Sequence, residues 1–131
     1  MYTIQHLRGR IKIAEKIKTY RDLDIWNAGI GLVKNVYRST EKFSKQEMYG
    51  LVSQMRRAVV SIPSNVAEGF RRYHNKEYKQ FLYISLGSCA ELETQVTIVK
   101  ELKYLQENEE KFLLEKLDHL CRMTMNLIKK L

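Results

Sequence analysis

The sequence is poor in residues that break chains. One proline and six glycines among 131 residues are too few for a turn-rich β fold or a low-complexity disordered chain. No apolar run approaches the ~18 residues that cross a bilayer, and the apolar face of the N-terminal stretch is narrow for a membrane surface, so no membrane contact is expected. The opening stretch MYTIQHLRGRIKIAEKIKTY lacks the apolar block of ~7–15 residues that a secretory leader carries. Cysteine is scarce as well. Cys89 and Cys121 are the only two; both fall on apolar helical stripes and are read as reduced core thiols of a cytoplasmic protein.

Catalytic and metal inventories are equally thin. A di-iron bundle requires two Glu-x-x-His pairs with further inward glutamates, and the chain has none. Asp118, His119 and Cys121 cluster in sequence, but nothing near them completes a tetrahedral metal site. Glu91 and Glu93 stand ~200° apart on a helix, so they form no catalytic dyad. Glu93 flanks the core seam, and Arg56 or Arg57 is its candidate ion partner. No glycine-rich phosphate loop occurs; the glycine of GSC, residues 87–89, is read as close helix packing. The expectation is a protein that is not an enzyme and holds no cofactor or metal.

What the sequence does have is helical periodicity. Helix one is expected from about Asp22 to Thr40, with the seam Trp26, Ile30, Val33, Tyr37, Thr40. Helix two follows a capping box of Ser44 and Glu47 and runs ~28 residues. Its seam is Met48, Val52, Met55, Val59, Ile62, Val66. Helix three opens on Asn75 as cap, with Tyr78, Leu82, Ser85, Cys89, Leu92, Val96 and Val99 inward. Helix four starts near Asn108, with Leu113, Leu117, Leu120, Thr124, Leu127 and Leu131. Four such helices joined by short links imply an all-α, up-down-up-down antiparallel four-helix bundle over residues 21–131.

Pro63 interrupts helix two, removing a backbone hydrogen bond and predicting a kink near Ser61–Ile62. Arg57, Ser61, Ser64, Glu68 and Arg72, with Asn65 beside them, form a polar stripe opposite the seam. Such a stripe is a solvated face, an assembly surface or a binding face.

Charge is uneven. The net is +8, and residues 1–45 carry ten Lys/Arg against four Asp/Glu while residues 81–131 carry seven against eight. A basic front half suits a polyanionic partner. Residues 1–20 form a basic extension or arm, with Ile4, Leu7, Ile11 and Ala14 spaced for an amphipathic helix that packs on a neighbour. In FRRYHNKEYKQFLY, Arg71, Arg72, Lys76 and Lys79 alternate with Phe70, Tyr73, Tyr78 and Tyr83. The cations would neutralise phosphates, and tyrosines left exposed would stack on unpaired bases. The competing reading is that Tyr78 and Phe81 are core, Tyr73 staples the turn and the cations are a solvated end.

QMRRAVVSIPSNVAEGFRR, followed by FLYISLGSCAELETQ, resembles the bacterial four-helix bundle family also called the S23 or 23S rRNA intervening-sequence protein family. YRDLDIWNAGIGLVKNVY and EMYGLVSQMRRA resemble its first two helices, and the likeness covers about Tyr20 to Leu131. It implies a small non-enzymatic protein assembling as a pentameric ring, with an RNA association that favours ribosomal RNA. Accessory ring proteins of retroelements, which work with a reverse transcriptase, are distant relatives. Two readings follow. One is an RNA-associated homo-oligomer using Arg57, Arg71, Arg72, Lys76 and Lys79. The other is a protein–protein scaffold, for example with a reverse transcriptase, whose assembly interface is the stripe of Ser61, Pro63, Asn65 and Glu68.

Overall fold

The computed structural model describes residues 17–131. The amphipathic arm expected around Ile4, Leu7, Ile11 and Ala14 lies outside the described residues. A 3-10 turn, Tyr20–Asp22, leads into α1, Asp24–Thr40. A one-turn helix, α2, Lys45–Met48, precedes the long helix α3, Leu51–Phe70. Two further long helices follow, α4, Asn75–Glu101, and α5, Glu107–Lys130. Among the described residues there is no strand. Each long helix packs on two others: α1 on α3, α3 on α4, α4 on α5 and α5 on α1. The result is a helical bundle around one core.

The periodic seams of α3, α4 and α5 are where the spacing puts them. Val52, Met55, Val59, Ile62 and Val66 are buried on α3; Tyr78, Leu82, Cys89, Leu92, Val96 and Val99 on α4; Leu113, Leu117, Leu120 and Leu127 on α5. Burying a large aliphatic side chain stabilises by ~1.5–3 kcal/mol, which makes these faces the main source of stability.

The structure departs from the sequence reading in several places. Asn75 does not cap α4: the cap position is His74, and Asn75 opens the helix itself. On α1 the buried line is Ile25, Gly29, Leu32, Val36 and Thr40, one position off the expected seam; only Thr40 is common to both. The second expected helix is not one rod of ~28 residues, because Tyr49 and Gly50 separate α2 from a 20-residue α3. Glu47 does not complete a capping box with Ser44; its carboxylate accepts the Tyr104 hydroxyl at 2.9 Å. Gly87 is not a point of close packing, since a Cβ there would meet nothing within 4 Å.

The close approaches are at two other glycines. A Cβ on Gly29 would lie 3.1 Å from Pro63 Cβ and 3.2 Å from Pro63 Cδ. The proline ring is therefore packed into the space that the missing Gly29 side chain leaves on α1. That settles which apolar line of α1 faces inward. A Cβ on Gly69 would lie 2.8 Å from Phe81 Cβ and 3.1 Å from the Tyr78 carbonyl oxygen, so glycine brings the end of α3 against the start of α4.

Candidate nucleic-acid interface

The link from α3 to α4 is four residues, Arg71 to His74. The Arg71 N–H bonds the Ala67 carbonyl at 3.3 Å and the Arg72 N–H bonds the Gly69 carbonyl at 3.0 Å, closing the helix and turning the chain. Of the residues expected to meet an anion, Arg71 and Lys76 are exposed here, and Arg72 and Lys79 are half-buried. Arg72 is partly occupied: it bonds Glu68 at 3.1 Å, lies 4.0 Å from Glu77 and stacks 4.8 Å from the Phe81 ring centre. Arg57 is not part of this group. Fourteen residues earlier on α3, it lies ~21 Å along the helix at 1.5 Å per residue. It borders a separate groove with Tyr37, Met48 and Val60.

The 3-10 turn contributes cations and rings from 50 residues away in sequence. Asp22 accepts the Thr19 N–H at 3.0 Å and the Lys18 N–H at 2.8 Å, and these bonds hold its carboxyl below the ordinary range. Thr19 Oγ1 in turn accepts the Arg21 N–H at 3.0 Å. The turn packs on α1 and on α3. Arg71 then stacks 5.5 Å from the Tyr20 ring centre, and Arg21 lies 5.5 Å from Tyr20 and 5.2 Å from Trp26. Asn75 Nδ2 donates to the Leu131 carbonyl at 3.4 Å, which brings Lys129 and Lys130 to the same end of the bundle. Lys18, Arg21, Arg71, Arg72, Lys76, Lys79, Lys129 and Lys130 thus gather against Asp22, Asp24, Glu68 and Glu77. No local motif announces Lys18, Tyr20 and Arg21; only the charge excess of residues 1–45 hints at them.

Of the aromatics in that segment, Tyr78 is buried and Phe70 packs edge-on to it at 6.1 Å. Tyr73 is 74% exposed and Tyr83 54%. The competing reading therefore describes Tyr78, while Tyr73 is open to solvent.

The four residues of the stripe diverge. Ser61 Oγ lies 2.8 Å from Ser88 Oγ on α4, and Asn65 Nδ2 donates to Ser61 Oγ at 2.9 Å and to the Ser61 carbonyl at 2.8 Å. Pro63 is buried against Gly29 of α1. Glu68 is exposed and paired with Arg72. Ser61 and Asn65 thus turn toward α4, where Ser85 Oγ also donates to the Ile62 carbonyl at 3.1 Å. Three hydroxyls and one amide satisfy polar atoms along a seam beside the proline, and side-chain hydrogen bonds of this kind matter most where water is excluded.

Among the described residues, the remaining chemistry-bearing side chains come together in no site. Cys89 and Cys121 are free thiols; the hydrogen bond to Cys121 and burial push the Cys89 thiol up. Glu93 faces these two thiols, with its charge near both, and does not pair with an arginine of α3. Arg56 instead turns to α1, where its Nε donates to Thr40 Oγ1 at 3.1 Å and its guanidinium stacks 4.3 Å from the Tyr37 ring centre. Among the described residues no three His, Cys, Asp or Glu side chains group to hold a metal ion, and no helix is long and apolar enough to cross a membrane.

A small basic helical bundle with cations and rings gathered at one end is the class of protein that these observations define. Residues 21–126 match the family described as 23S rRNA-intervening sequence protein, and the chain belongs to that family. A solved structure has the same fold: the 1.70 Å crystal structure of a protein of unknown function from the S23 ribosomal protein family, from Bacteroides thetaiotaomicron VPI-5482. It is 16% identical, with a TM-score of 0.73, over 80% of this chain and 95% of that one. No curated protein matches the chain.

Proposed function

We propose that this protein is a non-enzymatic, cytoplasmic RNA-binding protein that works as a homo-oligomer, with ribosomal RNA as its favoured target. The observation that carries the reading is the convergence of Arg71, Lys76, Lys18 and Arg21 with the rings of Tyr20 and Tyr73 at one end of the bundle. Cations of this kind bind phosphates by releasing counterions, so affinity falls steeply with salt. The family's link with 23S rRNA intervening sequences favours the same class of partner.

Up-down-up-down connectivity is supported by the links and contacts at both ends. Lys42, just after α1, pairs with Glu109 at the start of α5, and Asn75 at the start of α4 bonds Leu131 after α5. A bend at Pro63 is supported by its position inside α3, where the missing N–H leaves the Val59 carbonyl without its helical donor. Self-association is supported by exposed apolar side chains on and just after α4: Ile84, Ile98 and Leu102 are 51%, 41% and 55% exposed. A pentameric ring would sum the charge of its subunits into a strong local potential.

The test is binding of purified protein to an rRNA hairpin and to an unrelated RNA over a salt series, with sedimentation of the same samples. Arg71→Glu with Arg72→Glu is expected to abolish RNA binding and leave the oligomer intact. Undiminished binding by that variant would refute the reading. If RNA binding is absent at low salt while the protein is oligomeric, the scaffold alternative takes its place, with a protein partner such as a reverse transcriptase. In that case Asn65→Ala or Glu68→Ala should disrupt assembly.

A further inference from the structure

Beside the α3–α4 link lies a cleft of about 340 Å³ lined by Lys18, Thr19, Tyr20, Phe70, Arg71 and Tyr73. We propose that this cleft is a binding site for a single unpaired nucleotide of an RNA strand, with the base stacked on Tyr73 and the phosphate held by Arg71 and Lys18. The inference rests on the RNA reading above and adds the kind of RNA recognised.

Size, surface and rigidity support it together. The volume stands at the lower end of the ~300–1,000 Å³ typical of small-ligand sites. A cleft of that size suits one nucleotide rather than a base pair. Three of its six lining residues are aromatic, and Tyr73, 74% exposed, offers its ring where a base can reach it. Aromatic rings beside cations suit a base with its phosphate, because stacking accepts any base and the charge fixes the backbone. Its walls are also held in place before any ligand arrives. Asp22 clamps the Lys18 and Thr19 amides, Thr19 caps the Arg21 amide, and Arg71 is stacked at 5.5 Å from Tyr20. A preformed site loses less entropy on binding. A duplex has its bases stacked internally and would touch only the cations around the cleft, whereas a hairpin loop can turn one base inward.

The experiment compares the full-length protein and three variants on a stem–loop RNA, the same stem as a blunt duplex, and free AMP, all at fixed salt. Tyr73→Ala is expected to weaken stem–loop binding about tenfold and leave duplex binding unchanged. Tyr73→Phe, which keeps the ring, is expected to restore the loop preference. Arg71→Ala is expected to weaken both RNAs. Equal losses on stem–loop and duplex with Tyr73→Ala, or no loss on either, would overturn the proposal. So would AMP binding as tight as the stem–loop, which would mark a site for free nucleotides. Failure of the wild-type protein to bind either the stem–loop or the duplex would remove the RNA reading itself, and this inference with it.

Discussion

Gly69 is the residue on which the arginine-bearing turn depends. A methyl group there would stand 2.8 Å from Phe81 Cβ and 3.1 Å from a Tyr78 backbone atom, and backbone cannot yield as a side-chain tip can. Gly69→Ala is therefore expected to destabilise the fold by about 1–3 kcal/mol, read as a lower urea midpoint. Gly87→Ala, where the new Cβ meets nothing, should instead stabilise by about 0.5–1 kcal/mol by removing backbone entropy. A loss for both would contradict the packing described. Acid sensitivity belongs to this scale too. The Thr19 and Lys18 amides lower the carboxyl of Asp22; the Gln106 amide, then Lys42, lowers that of Glu109. A depressed folded value means stability that is present above the ordinary values of 3.8 and 4.5 and lost as pH falls from there through the lowered folded values. The thermal midpoint should hold above about pH 5 and decline below it, with a shallower decline in Asp22→Asn.

Among the elements, α1 shows most plainly what periodicity can and cannot say. It carries two apolar lines, Ile25–Leu32–Val36 and Trp26–Ile30–Val33–Tyr37, about 100° apart. Spacing alone ranks them equally. The choice depends on Pro63 of another helix entering at Gly29, a tertiary fact. On α3, α4 and α5 the apolar line has no rival, and the core positions were legible from spacing. The break at Tyr49–Gly50 hides because Met48 continues the seam in phase, although it is 39% exposed. The cation cluster divides the same way. Arg71, Arg72, Lys76 and Lys79 are neighbours in sequence across one turn, so their grouping could be read directly. Lys18, Tyr20 and Arg21 join them only because the 3-10 turn packs on α3. The end of α4 supplies an independent check. Lys103 there takes φ 69°, with its N–H on the Lys100 carbonyl and the Tyr104 N–H on the Val99 carbonyl. This is the left-handed helix stop that glycine usually occupies. Lys103→Gly should raise stability by about 1 kcal/mol, and a loss of stability would argue against that geometry.

Over the whole molecule, charge is sorted along the bundle. One end gathers Lys18, Arg21, Arg71, Lys76 and Lys129, while the first half of α5 presents four carboxylates, Glu107, Glu110, Glu115 and Asp118, against one cation, Lys111, around a shallow groove. An anionic strand should be drawn to the first end and repelled from the second. Arg57, far along α3, should matter less than Arg71 if the strand stays at that end. The most direct measurement is photo-crosslinking of the wild-type protein to a 4-thiouridine-labelled rRNA hairpin, with the joined peptides identified by mass spectrometry. Crosslinks confined to residues 17–24 and 70–79 are the predicted result. Crosslinks concentrated on α5 between Glu107 and Asp118, or spread evenly over the chain, would contradict the account.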